Sequence, residues 1–481
     1  MKEYPAWNFG TPGVFEVGPA MNSMRIKLAL GAAMAVLLAL LGVSAGQAGA
    51  ASAIGQHHAF APRQLVVKFE GEAHGRTIGL PRGAGVRETA RALRAKPNVD
   101  YAVPNFAAHA SAVEPEPFDP DDDGTIEAVT GSSTTTTSPG GWATRQWDFL
   151  DYSGTPTSRL PISPGGINAV GAWANLEAEG RPGAQGIVVA VLDSGIAYRD
   201  YGSQYLRSPD FSPEEFVPGA DFVDHDRLPL DENGHGTFVA ATIAEQTNNG
   251  IGLTGLAYGA KLMPVRVLGR NNIGFANRIS KGIHFAVAHH ANVINMSFNF
   301  ECGAKVPQVD EALREAYAAG IVTVGSGGNY SSTVSSADNC VSEPATGPRV
   351  IGVGGTTEGG CMGSYSLAGK GIDVVAPGGG KPVVGCPSVL SRPIYQVTLK
   401  EGTTNQFAIP SKYEGTSMAA AHVSGVVAMI LASGVIPADL NPKAKVRAVI
   451  KRLKVTSRSL GYPRTQEGAG LIDAARATAL P

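Results

Sequence analysis

The chain has almost no charge of either sign to spare. Its 39 Lys and Arg against 41 Asp and Glu leave a formal charge of -2 over 481 residues. Such a balance gives no general attraction to nucleic acid or to an anionic membrane surface. Cysteine is scarce, at four residues, with no C-x-x-C pair and no histidine cluster beside any of them, which argues against a zinc site. There is no solenoid-type internal repeat. The uncharged N-terminal run at residues 28–43 is shorter than the roughly 20 apolar residues of a membrane helix. What is present is an ordinary globular composition, 43% hydrophobic and 17% charged, rich in glycine at 61 residues, as suits an enzyme with many tight loops. Any chemistry has to be read from motifs rather than from bulk charge.

The N-terminus reads as an export signal over residues 1–50. Arg25 and Lys27 form the basic region, the run 28–43 the apolar region, and Ala48-Gly49-Ala50 or Ala51-Ser52-Ala53 the cleavage site. Residues before Met21 do not resemble such a region, so the signal is read from Met21 or Met24. The expected location is extracellular, with retention at the cell surface or in a periplasm also compatible. No stable membrane span is expected after cleavage. In an oxidising compartment Cys302, Cys340, Cys361 and Cys386 are expected to form two disulfides. Three pairings are open, of which Cys302 with Cys340 and Cys361 with Cys386 keeps the bridges local.

Residues 51–112 read as a small α+β unit, with strands at 65–69 and 98–106 around a short helix at 86–95. Residues 113–145 read as a linker. Its first half is acidic and Pro-rich, and a Ser/Thr/Gly tract follows at 131–141. The stretch Asp119–Gly124 matches the first half of a calcium loop, but Thr130 stands where a bidentate Glu belongs, so it is read as solvated linker. From 146 to the end the pattern changes. Runs at 187–192, 262–268, 293–298, 321–324 and 350–353 read as strands covered on both faces. Between them Ile279, Ile283 and Val287, then Val309, Leu313 and Tyr317, recur at helical spacing. Asn441-Pro442 reads as cap and first residue of a last long helix, with the basic residues of 443–454 as its wet face. The alternation predicts a mostly parallel sheet with helices on both faces, a three-layer α/β/α sandwich, whose site lies at the carboxyl ends of strands.

Three motifs fall where that architecture puts a site. Asp193 ends the first strand of the large unit, in Val-Leu-Asp-Ser-Gly, where a carboxylate can orient an imidazole. His235, in Asn-Gly-His-Gly-Thr at the start of an apolar helix, has a side chain that titrates near neutrality and suits a general base. Ser417, in Gly-Thr-Ser-Met-Ala-Ala, opens a long apolar helix, where a base could activate its hydroxyl and its N–H could bind an oxyanion. Singly these are a turn cap, a helix-terminal polar residue and an N-cap. Jointly, in the order Asp, His, Ser and each beside small residues, they point to nucleophilic catalysis.

The segments 187–196, 233–243 and 415–425 resemble the three signatures of the subtilases, the subtilisin-like serine peptidases. The likeness continues through Asn248-Asn249-Gly250-Ile251-Gly252, Val265-Arg266-Val267-Leu268, Val293-Ile294-Asn295-Met296-Ser297, Gly327-Gly328-Asn329, Val375-Ala376-Pro377-Gly378 and the terminal segment 468–474. The resemblance implies peptide-bond hydrolysis with Asp193, His235 and Ser417 as a triad and Asn329 as oxyanion donor. Extended polypeptide substrate would pair along Asn272, Ile273 and Gly274 and pass Ser297, Phe298, Asn299 and Gly327. It implies no cofactor for catalysis, a structural calcium at Asp210, Asn249, Ile251 and Leu253, and a monomer. The small N-terminal unit is similar to the family's propeptide, which would act as an intramolecular inhibitor and be cut off between about 106 and 119. The chain departs from the family pattern in three places. Phe238 stands for a second histidine, Ala421 for a proline, and Phe298-Asn299-Phe300 follows Ser297 where many relatives have glycines. Bulk at that wall puts the usual large apolar pocket in doubt. A dedicated processing peptidase of narrow specificity is therefore the alternative, and a non-catalytic binding protein of the same fold is a further one.

Overall fold

The computed structural model describes residues 60–72, 75–106, 119–126, 141–153, 160–331 and 339–480. The export signal, the expected cut after residue 106 and most of the Ser/Thr/Gly tract lie outside the described residues. The chain forms two compact units, the first ending at Glu114 and the second beginning at Pro115.

The first unit is an antiparallel sheet in the order β2-β1-β3, made of β1 (Phe60–Phe69), β2 (Arg76–Gly79) and β3 (Val99–Phe106). Leu65 and Val67, two apart on β1, point to one face. There they meet Ala102 of β3 and Ala90 and Leu93 of helix α1 (Val86–Arg94). This is a small core for an independent fold.

The second unit is built on seven strands, all parallel, in the order β10-β9-β8-β7-β4-β6-β5. They are β4 (Val188–Asp193), β5 (Ala220–Asp221), β6 (Lys261–Arg266), β7 (Val293–Met296), β8 (Val322–Ser326), β9 (Val350–Thr356) and β10 (Val374–Pro377). Strand β4 shows why the sheet is covered on both sides. Val189 and Val191 enter one core while Ala190 and Leu192 enter another. The first core is closed by α2 (Ala169–Ala178), α3 (His235–Ala244), α6 (Thr416–Ala432) and α7 (Pro442–Thr456), the second by α4 (Ala276–Ala288) and α5 (Pro307–Ala319). This is the expected three-layer sandwich. From β4 the chain moves to the edge strand β5 and back to β6 on one side, then crosses to β7 on the other. The carboxyl ends of β4 and β7 therefore flank a topological switch point, where open parallel sheets bind ligands. Disulfides join Cys302 to Cys340 and Cys361 to Cys386, closing 38 and 25 residues of chain.

The reading of residues 119–126 as solvated linker is corrected by their packing. Asp122 is fully buried, and its carboxylate accepts the N–H groups of Asn248 and Asn249, each at 3.1 Å. Asp121 accepts Gly250 N–H at 2.9 Å. The Gly124 N–H donates to Gly252 O, and buried Trp142 donates its indole N–H to Pro120 O at 2.9 Å. The cause lies in the turn at 248–252. Positive φ at Asn248, Gly250 and Gly252 turns successive N–H groups outward, a cradle for negative charge. An acidic stretch looks solvated in sequence until such a partner is known.

Candidate active site

Asp193 is the last residue of β4 and is fully buried. Its Oδ1 lies 2.7 Å from His235 Nδ1, and the same oxygen accepts the Ser194 N–H at 2.8 Å. His235 is the first residue of α3. Burial alone would push its imidazole down, but the Asp193 charge and hydrogen bond, with Asp231 behind them, outweigh burial and raise its pKa above the usual value.

Two residues without an assigned role hold this pair together. Ser194 Oγ accepts the Gly236 N–H and donates to Asp231 Oδ1, each at 2.9 Å. Asp231 also accepts the N–H groups of Asn233, Gly234 and Thr237 and the Thr237 hydroxyl. Its carboxylate thus satisfies N–H groups at the α3 start that no helical carbonyl reaches. The only signal in sequence is an Asp four residues before the histidine and a hydroxyl directly after Asp193.

Ser417 is the second residue of α6, after Gly415 with φ +145°. Its hydroxyl donates to Ser297 O at 3.0 Å, and Ser297 Oγ returns a bond to Ser417 O at 2.9 Å. The nucleophile candidate thus rests against the chain leaving β7 rather than on His235. Behind Ser297, the buried Asn295 amide donates to Ser297 Oγ and accepts the Ser424 hydroxyl, tying β7 to α6. Asn329 follows β8 and the left-handed Gly328. Its Oδ1 accepts the Thr416 N–H at 2.9 Å and the Thr416 hydroxyl at 3.1 Å. Because a backbone N–H can only donate, this contact fixes which end of the amide is oxygen. The Nδ2 end then borders Gly415, where an added Cβ would lie 3.1 Å from it.

His235, Ser417, Asn329, Asn272, Ser297, Phe298 and Asn299 all line one cleft of about 440 Å³. The other expected substrate residues do not line it. Gly327 bonds through its N–H to Val353 O. Gly274 pairs with Leu268 and Ile273 projects into solvent. Across the cleft stands Tyr413, whose ring stacks 4.0 Å from that of buried Phe238, with Trp147, Ile394 and Met418 around them. Phe238 therefore supports the cleft wall through a contact no sequence motif announces. Below it, fully buried His422 joins Asp148 at 2.8 Å through Nε2 and Met418 O at 2.8 Å through Nδ1.

Asp210, Asn249, Ile251 and Leu253, the expected calcium ligands, meet at one turn. Both Asp210 oxygens accept donors at 2.8 Å, one from the Asn249 amide and one from the Leu253 N–H, while Asn249 Oδ1 is held by the Ile251 N–H. The turn presents nitrogen donors to the carboxylate because Asp122 and Asp210 both need them. Among the described residues no three His, Cys, Asp or Glu side chains are arranged around a single ion position. The chemistry of the place still suits a hard cation. Glu245 is fully buried, no N–H or hydroxyl donor reaches either of its carboxyl oxygens, and its carboxyl stands against that of Asp210. Burial first, then neighbouring charge, drives it well above the carboxylate range. Asp210 and Asp122 are pushed up to about 8 and about 7, chiefly by burial.

Comparison with known proteins bears on this geometry. The model of the subtilase family matches residues 184–470. The chain is 35% identical over 360 residues to the extracellular protease of Xanthomonas campestris pv. campestris, which covers 68% of this chain and 54% of that protein. It therefore spans about half the length of that relative. Alkaline elastase YaB of a Bacillus species (strain YaB) is 33% identical over 315 residues, covering 66% of this chain and 70% of that one. Among solved structures, a protease from Pseudoalteromonas arctica PAMC 21717 superposes with a TM-score of 0.52 at 30% identity, over 65% of this chain and 94% of that chain. A strand-end Asp bonded to a helix-start His, a Ser at the head of a second helix, and a family match running through all three leave one assignment: the chain belongs to the subtilase family.

Proposed function

We propose that the chain is a secreted serine endopeptidase that hydrolyses polypeptides through an acyl-enzyme. It is made as a zymogen whose N-terminal unit inhibits it in cis until the enzyme removes that unit, and it works as a monomer. Ser417 attacks the substrate carbonyl, leaving its bond to Ser297 O and passing its proton to His235. His235 returns the proton to the leaving amine. Asp193 holds the imidazole by its Nδ1 proton and stabilises it when charged. Asn329 Nδ2 and the Ser417 N–H receive the developing oxyanion. The observation that carries the reading is the 2.7 Å Asp193–His235 bond in the same cleft as Ser417. No cofactor enters the reaction.

A fluorophosphonate probe tests this directly. It is expected to label Ser417 alone, with Ser417→Ala losing both labelling and hydrolysis and keeping the N-terminal unit attached. Full activity of Ser417→Ala would remove the reading.

Structural calcium is proposed at the turn beside Asp210, held by the facing carboxyls of Asp210 and Glu245, whose buried charge a divalent ion would neutralise. Calcium is expected to raise Tm over the chelated enzyme, and Glu245→Gln to cancel the rise. An unchanged Tm would exclude the ion.

A further inference from the structure

We propose that Asn299 closes the pocket beside Ser417, so that the residue supplying the cleaved carbonyl must carry a small side chain: glycine, alanine or serine. The inference rests on the peptidase reading above and gives that site its substrate class.

The position of the attacked carbonyl follows from its two neighbours. Ser417 Oγ lies 3.0 Å from Ser297 O, and the Asn329 amide stands on the other side, held by Thr416. We place the side chain that branches next to that carbonyl between the chain at 297–300 and the chain at 326–329, both of which border the cleft. Asn299 stands in this gap and joins its walls. Its Nδ2 donates to Ser326 O at 2.6 Å, and its Oδ1 accepts the Ser326 hydroxyl at 3.0 Å. Its amide carbon also lies within 3.6 Å of where a Cβ on Gly328 would be, so it reaches across to the oxyanion side.

The wall behind it has little freedom. Phe298 packs on the second core and meets Phe300 edge-on at 6.4 Å. Ser326 is fully buried, and its hydroxyl is also within 3.2 Å of Phe298 O. A phenylalanine or leucine side chain entering the gap would have to push the amide off both bonds and leave Ser326 O buried without its donor. Leaving a buried acceptor unsatisfied costs far more than a normal hydrogen bond contributes. A methyl or hydroxymethyl group needs no such displacement.

The test uses the mature enzyme and peptide p-nitroanilides that share their other residues and vary only the residue before the scissile bond. We expect kcat/KM for alanine and serine to exceed that for phenylalanine and leucine by about tenfold or more, the scale on which pocket shape discriminates. Asn299→Gly is expected to raise the phenylalanine-to-alanine ratio by about tenfold or more. Ser326→Ala, which keeps the backbone acceptor and only loosens the clamp, should raise it in the same direction. Equal or faster turnover of phenylalanine or leucine by the unmodified enzyme overturns the proposal. So does an unchanged ratio in both variants while they still label with the fluorophosphonate probe. Failure of the unmodified enzyme to label at Ser417 is a separate result that overturns the peptidase reading itself, whatever the substrate profile.

Discussion

At the residue scale, Asn329 and His235 make the sharpest demands. The Asn329 amide is oriented by Thr416 before any substrate arrives, so its donor costs nothing to aim during the reaction. An interaction made mainly in the transition state acts on kcat rather than KM. Steady-state kinetics of Asn329→Gly should show kcat lower by about 10²–10³ with KM nearly unchanged, a magnitude taken from subtilisins as a class rather than derived from these distances. A shift in Tm with kcat intact would make Asn329 a turn residue. His235 must be neutral to accept a proton, and its pKa is raised because the Asp193 and Asp231 carboxylates outweigh burial. Raising that pKa keeps the imidazole charged to higher pH, so kcat/KM is expected to climb with pH through a midpoint above the ordinary value of about 6.5. A midpoint at or below it in a pH–rate profile would contradict the environment described. The triad candidates and Asn329 could be read in sequence because each sits in a short run of small residues. Ser194, Asp231 and Asn295 could not, since each ties the site together through at least one partner 37 to 129 residues away.

At the scale of elements, the sequence pattern predicts well where burial is two-sided. The β-branched runs became β4, β6, β7, β8 and β9, each within a few residues of its reading. β5 was missed because it is two residues long, Ala220–Asp221. β2 was missed because Arg-Thr-Ile-Gly has no apolar run and pairs only through β1. β10, Val374–Pro377, was noticed as a motif but not as a strand, since its proline sits at the sheet edge, where the missing N–H is tolerated. The last long helix was legible from its cap. Asn441 accepts the Ala444 N–H at 3.0 Å and Pro442 opens the helix. Asn441→Ala should lower stability by about 0.5–2 kcal/mol, measured by denaturant unfolding, with kcat/KM unmoved because α7 does not line the cleft. A change in activity without a change in stability would show that α7 is coupled to the site.

At the scale of the whole molecule, the second unit does not begin at the first triad strand. Asp122 is buried under the turn at 248–249 and Trp142 is bonded to Pro120, so the peptide starting near residue 119 is part of the second unit's fold. Maturation should therefore end upstream of Asp119, and N-terminal sequencing of active enzyme is expected to read a start within 107–119. A start beyond 126 would mean that the buried carboxylate is dispensable. The same packing has a practical corollary. Gly124 and Gly141 touch: a Cβ on Gly141 would lie 1.8 Å from Asp123 O, while Trp142 N–H bonds to Asp122 O. Residues 127–140 thus begin and end at one stapled point. A connection with both ends already fastened can change length at little cost, because closure entropy grows only slowly with the number of residues. It is the natural place to splice in an affinity tag or a reporter.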